Sequence, residues 1–270
     1  MKKLFALLTV ALLLVATLTS CMSQPLDGKT ADEALKIVET RMSALESAKT
    51  VMDMDMKIAM TGVFSYNIAT DLTVSSKKTD TELYMDMAMS MDMGELGSGA
   101  TNMLYDGGTL YMATDVAGTA VKAKCDVERA TLLEKLANAA VGSATTNWSD
   151  MTDLKNATIE KKDGKFIITA TEMGDAFRNA ILGQAGTGDM VDISALTLSE
   201  ASAVLTLTPD GFCESATVTM KGSVVSSGIT MTLDVTSVMT YTTLPADFTV
   251  SAPQDADAYT TVTQEEMFGA

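Results

Sequence analysis

The chain has 270 residues and a formal net charge of −16, from 35 acidic and 19 basic residues, with no histidine at all. So acidic a chain is a poor partner for nucleic acid, which is held by clustered Lys and Arg. The missing imidazole excludes Ser-His-Asp and Cys-His nucleophile systems, an HExxH zinc site and a histidine general base. Carboxylate-only catalysis survives that filter, but sugar clefts are usually aromatic and aromatics are 5% of this chain, so no enzyme, cofactor or metal centre is expected.

Met1-Lys2-Lys3 supplies a positive start, and residues 4–18 follow without a charge. The run is shorter than the ~20 residues needed to span a bilayer, so residues 1–20 read as a signal peptide rather than a membrane helix. Leu18-Thr19-Ser20-Cys21 resembles the bacterial lipobox. That resemblance implies cleavage before Cys21, acylation of its thiol, and a lipid anchor on the extracytoplasmic side of a cell membrane. An acidic surface repels anionic headgroups, which leaves the anchoring to the lipid. Residues 21–29 form the lipidated cysteine and a polar tether, whose eight residues after Cys21 reach less than about 30 Å.

Thr30-Ala31-Asp32-Glu33 has the form of a capping box, and Leu35, Val38, Met42 and Leu45 recur at helical spacing, which predicts a helix over residues 30–48. From Val51 the period drops to two. Met52, Met54, Met56, Ile58 and Met60 share one face of a strand and Asp53, Asp55 and Lys57 the other. A second strand puts Phe64, Tyr66, Ile68, Leu72 and Val74 inward. In a third, Leu83, Met85, Met87, Met89, Met91 and Met93 alternate with polar or small residues. One wet and one apolar face per strand is the pattern of antiparallel sheet. Asp106-Gly107-Gly108, Asp163-Gly164 and Pro209-Asp210-Gly211 mark hairpins. Leu110, Met112, Phe166, Ile168, Leu205, Leu207, Val218 and Met220 then point inward, and Ile229, Met231, Leu233 and Val235 belong to a last long strand. Helices are expected over residues 126–141 and 173–184. The acidic tail, residues 253–270, is expected to be irregular, with residues 259–262 able to add a short edge strand.

These elements predict an α+β domain over residues 30–252: one strongly curved antiparallel sheet, a half-open β-barrel, with the N-terminal helix and two further helices on its concave face. The lipobox, the helix that runs directly into the Met52 strand and the Asp-Gly hairpins together resemble the LolA/LolB-like lipoprotein carriers and the LppX/LprG-like bacterial lipoproteins. The resemblance implies a half-open barrel that holds a hydrophobic ligand.

Nine of the 21 methionines fall in the windows 52–60 and 85–93, all on the inward face. Methionine is unbranched and polarisable, so a wall of it can repack around ligands of different shape. Met52, Met54, Met56, Met60, Met85, Met87, Met89, Met91, Leu110 and Met112 are accordingly the candidate lining of a lipid- or hydrophobe-binding cavity. Two alternatives stay open. The methionines can fill a dry core beneath a structural or protein-contact surface, or Met85, Met87 and Met89 can offer soft thioethers to Cu(I). Asp53, Asp55, Asp86 and Asp92 lack the loop that calcium requires and read as a solvated strand face. With Cys21 acylated, Cys125 and Cys213 can pair as a disulfide or stay reduced. The expected partners are the membrane and a hydrophobic ligand, with a monomer as the oligomeric state.

Overall fold

The computed structural model describes residues 25–60, 62–116, 118–138, 148, 152–176, 197–226 and 229–268. Helix α1 is Ala31–Ser43, and its start is the expected capping box. The Glu33 N–H donates to Thr30 Oγ1 at 3.3 Å, and the Thr30 N–H donates back to Glu33 Oε2 at 3.0 Å. The helix ends five residues before residue 48, because β1 begins at Ser47 and its backbone groups are taken by strands on both sides. Its buried face, Ala34, Leu35, Val38 and Met42, joins the core.

The strands are β1 (Ser47–Met60), β2 (Phe64–Lys78), β3 (Leu83–Asp92), β4 (Ser98–Tyr105), β5 (Thr109–Val116) and β6 (Thr119–Asp126). After helix α2 (Arg129–Asn138) come β7 (Leu154–Lys155), β8 (Thr158–Lys162), β9 (Lys165–Ala170), β10 (Glu172–Met173), β11 (Thr197–Leu207), β12 (Cys213–Ser226) and β13 (Ile229–Thr243). The C-terminal residues add β14 (Thr260–Thr261) and helix α3 (Gln264–Phe268). Twelve strands form one sheet in the order β14-β6-β5-β4-β3-β2-β1-β13-β12-β11-β9-β8, while β7 and β10 pair separately. The large sheet is not closed, since β14 and β8 are its two edges. All its pairings are antiparallel except β14 on β6. Strand β1 sits in the middle: β2 to β6 meander away on one side, and β13 back to β8 on the other.

Each hairpin signal lies where a strand turns. Asp163 and Gly164 both take left-handed backbone, with φ of +50° and +78°, as a two-residue hairpin with the right twist demands. At the β4–β5 turn, Asp106 Oδ1 accepts from the N–H groups of Gly108 and Thr109. The expected helix over 126–141 is shortened at its start, because Asp126 still pairs in β6 with Thr109. Of the helix expected over 173–184, Met173 lies instead in β10, Asp175 and Ala176 are helical, and residues 177–184 lie outside the described ones.

The C-terminal residues are less irregular than their composition suggests. Lys122 pairs with Asp255, Lys124 Nζ donates to the Ala256 carbonyl at 2.9 Å, and Tyr259 packs edge-on against Tyr111. The expected extra strand is β14, and it covers the backbone edge that β6 would otherwise present to other chains.

Helix α1 meets the sheet at the β11–β12 end. The Cys213 N–H at the start of β12 donates to Met42 Sδ at 3.3 Å, and Arg41 pairs with Asp210 in the β11–β12 turn. At Gly211 in the same turn, φ is +85° and a Cβ would stand 2.7 Å from Ile37 Cγ2. This end, the base, holds the start of β1, the end of β13 and the turn between β8 and β9. The opposite end, the rim, holds the β1–β2, β3–β4 and β5–β6 turns.

The last residues of the segment expected as a tether are built into the base. Leu26 is 1% exposed within the core, Asp27 pairs with Lys161, and residues 25–28 form a turn.

Candidate functional site

All ten residues picked as lining point to the same side of the sheet, and the register shows how they meet. On β1, Met52, Met54 and Met56 stand opposite Leu72, Thr70 and Ile68 of β2 and opposite Met239, Ser237 and Val235 of β13. Farther along, Met87 pairs with Met103, and Met103 with Met112, making a row of three thioethers across β3, β4 and β5. Side chains directly opposite in such rows have Cβ atoms ~5 Å apart. Met85, Met87 and Met89, the three suggested for Cu(I), instead lie along one strand, where positions two apart are separated by ~7 Å.

Burial divides the ten into two groups. Met52, Met54, Met56, Met85, Met87 and Leu110 are each no more than 4% exposed. Met60, Met89, Met91 and Met112 are only half-buried. The split follows position along the strands. Along each strand burial falls toward the rim end: Met60 follows Ile58 on β1, Met89 and Met91 follow Met87 on β3, and Met112 follows Leu110 on β5. It falls sooner on β3 and β5 than on the central β1, since Met89 and Met91 share rows with the buried Met52 and Met54. Met231 at the start of β13 and the stacked pair Phe64 and Tyr66 at the start of β2, with ring centroids 4.8 Å apart, are half-buried there too. Three exposed valines mark the same end: Val63 in the β1–β2 turn, Val116 closing β5, and Val121 in β6.

The base is sealed by aromatic and thiol groups that sequence periodicity did not single out. Tyr241 near the end of β13 packs against Trp148 with ring centroids 4.9 Å apart, and its hydroxyl donates to Met239 Sδ at 3.3 Å. Burial pushes the Tyr241 phenol well above its ordinary value, with the neighbouring Cys213 adding to the effect. Tyr105 is fully buried, and its hydroxyl donates to the Val127 carbonyl at 3.1 Å. Cys125 and Cys213 are both buried, and neither is in a disulfide. Six strands separate β6 from β12 in the sheet. Burial drives the Cys213 thiol up to about 12.

Two more residues of this face were passed over in the sequence. Thr70 continues the inward series of β2 between Ile68 and Leu72, and Ser237 continues that of β13 between Val235 and Met239. They are 3% and 0% exposed, and the Oγ atoms of both lack a hydrogen-bond partner. The signal was there to read, as a hydroxyl residue interrupting a strict inward alternation.

The opposite face is polar. Asp53, Asp55, Asp86 and Asp92 are exposed on it, as expected of a solvated strand face. Two open grooves of about 690 and 490 Å³ lie there around Asp92 at the end of β3 and Gly94 in the β3–β4 connection. Among the described residues no group of three or more His, Cys, Asp or Glu is placed to hold a metal ion. Cys21 lies outside the described residues, and among these no helix is long and apolar enough to cross a membrane.

Fold and site together define a single-core domain on one open antiparallel sheet, apolar inside and polar outside, sealed at one end. The chain belongs to the family described as Family of unknown function (DUF6612), whose model matches residues 30–259. No curated protein matches it. Among solved structures it is similar to a LolA superfamily protein from Nitrosomonas europaea, at 12% identity and a TM-score of 0.25, covering 81% of this chain and 96% of that one. It is also similar to a beta-barrel-like protein of the domain of unknown function DUF1849 from Brucella abortus, at 9% identity and a TM-score of 0.23, covering 74% and 99%. A DUF1329 family protein from Desulfovibrio piger matches at 11% identity and a TM-score of 0.28, covering 83% and 97%.

Proposed function

We propose that this protein is a membrane-anchored lipoprotein that binds or carries a lipid or similar hydrophobe against its Met-lined inner face, admitting it from the rim. The observation that carries this reading is the gradient of burial. Along β3 the inward series passes from Met85 and Met87 at 4% and 3% exposure to half-buried Met89 and Met91, and β1 and β5 lose burial in the same direction at Met60 and Met112. A core built only for stability gains by burying its large side chains throughout, at ~25 cal/mol per Å² of apolar surface. A face that must admit a ligand needs an end where apolar surface is already within reach, and flexible side chains that repack behind it.

In this proposal Cys21 carries the anchor. Four residues lie between Cys21 and the docked Leu26, and the five Cα-to-Cα steps at ~3.3 Å each hold Leu26 within about 17 Å of the acylated cysteine. The rim lies at the far end of strands as long as the 14 residues of β1, about 45 Å away along the chain. The domain thus stands on its base, with its apolar end directed away from the bilayer that holds it.

Detergent-free protein purified from its own membranes should carry lipid visible by native mass spectrometry, and the emptied protein should bind a fluorescent fatty acid saturably. Replacing Met89 and Met91 with Asp should abolish probe binding and, because both pack against the core, also lower the melting temperature, whereas Met89→Leu/Met91→Leu should keep the melting temperature and retain binding. Absence of co-purified lipid together with absence of saturable binding would sink the carrier reading. Loss of metabolic acyl labelling on Cys21→Ala tests the anchor separately.

A further inference from the structure

We infer that Ser237 and Thr70 are specificity residues of the inner face, and that the ligand they select is a hydrophobe carrying uncharged ester or amide oxygens between its apolar chains. The inference rests on the binding role proposed above and adds the chemistry of the ligand.

Ser237 and Thr70 stand directly opposite Met54 on its two sides, one on β13 and one on β2. The row extends to Val218 beyond Ser237 and to Met91 beyond Thr70. Two hydroxyls thus interrupt an otherwise apolar row, near the boundary between the sealed base and the half-open rim. They are the two buried polar residues among the described ones, and neither Oγ has a hydrogen-bond partner.

An unsatisfied buried hydroxyl is costly, and an alanine and a valine of nearly the same shape would remove the cost. Retaining two at matched positions in one row is understood if a partner arrives from outside the chain. A hydroxyl donates one hydrogen bond and accepts others, so it suits a neutral carbonyl as well as an amide N–H. No charged residue is buried with them, so a charged headgroup would lose its water without compensation; the group that reaches this row is uncharged. Two strand spacings separate the pair, ~10 Å of backbone, which is too far for one carbonyl to meet both. Each hydroxyl therefore takes its own oxygen or N–H, and Met54 between them repacks to make room.

The test compares two pyrenyl probes of equal chain length, an alkane and the corresponding methyl ester, titrated into delipidated protein. Wild type should bind the ester more tightly than the alkane by about fivefold to tenfold, the factor of one net hydrogen bond in a dry site. In the Thr70→Val/Ser237→Ala double variant the ester preference should fall to about one while alkane affinity is kept, and the ligand-free variant should melt at or above the wild-type temperature. Thr70→Ser in the Ser237-containing protein should keep the preference. An ester preference unchanged in the double variant overturns the inference and leaves hydrophobe binding standing. Failure of both probes to bind wild type overturns the binding role and this inference with it. A lowered melting temperature in the ligand-free double variant, with the preference intact, assigns the hydroxyls to the protein's own packing and also overturns the inference.

Discussion

The seat of α1 on the β11–β12 turn can be broken by a single methyl group. In Gly211→Ala the new Cβ meets two separate obstacles. The backbone there has φ of +85°, in the left-handed region that costs an L-residue about 1 to 2 kcal/mol. The methyl also arrives 2.7 Å from Ile37 Cγ2, well inside contact distance, and overpacking of this kind costs about 1 to 3 kcal/mol. The sum is about 2 to 5 kcal/mol. With a urea m-value near ~3 kcal/mol/M, the unfolding midpoint should fall by roughly 1 M, with m unchanged. Repeating the substitution in an Ile37→Ala background removes the steric part, so the cost should drop to the backbone part alone, about 1 to 2 kcal/mol. A fall in midpoint below ~0.2 M, or the same cost in both backgrounds, would refute the placement of α1 on this turn.

Thr30→Ala should cost about 1 kcal/mol by removing the α1 cap, measured by urea unfolding. The Glu33 carboxyl is held below its ordinary value, first by the Thr30 N–H and then by the Lys29 ammonium. Its stabilisation is therefore present above the ordinary glutamate value of 4.5 and lost as pH falls through the lowered one, and melting curves of wild type and Glu33→Gln should converge over that interval. Native Cys125 and Cys213 should resist a maleimide until denaturant is added. Because burial raises the Cys213 thiol to about 12, the fold should lose stability as pH climbs above the ordinary thiol value of 9, and Cys213→Ala should flatten that fall. Deleting residues 253–270 uncovers the β6 edge and should produce concentration-dependent association by light scattering, whereas a strictly monomeric truncated protein would show that β14 is not needed as a cover.

Strand parity was the most legible part of the fold. The alternations of β1, β2 and β3 placed Met52 to Met60, Ile68 to Val74 and Leu83 to Met91 on the correct side, because one wet face forces a period of two. The end of α1 was misplaced, since Leu45 keeps helical spacing while the pairing that starts β1 at Ser47 comes from strands far away in sequence. The docked tail was hidden for the same reason: its acidic composition reads as solvated, and only the fold brings Lys122 and Lys124 to it. Position along the strand axis, which separates sealed from half-open methionines, is not encoded in parity at all. Thr70 and Ser237 were missed because their residue type argues for the outside while their position argues for the inside, and type was followed.

The pairing of β1 with β13 sets the order in which this molecule can assemble. The centre of the sheet joins residues 47–60 to residues 229–243, and the Ser47 hydroxyl ends on the carbonyl of Leu244. The two flanking meanders are local and can form early, but the seam between them closes only once nearly the whole chain is at hand, and such distant closure is slow. A polypeptide emerging from its N-terminus first would thus hold β1 with one neighbour until the final quarter of the sequence arrives. On the proposed route, in which the chain crosses a membrane unfolded before it binds lipid, a fold that cannot lock prematurely is an advantage in transit.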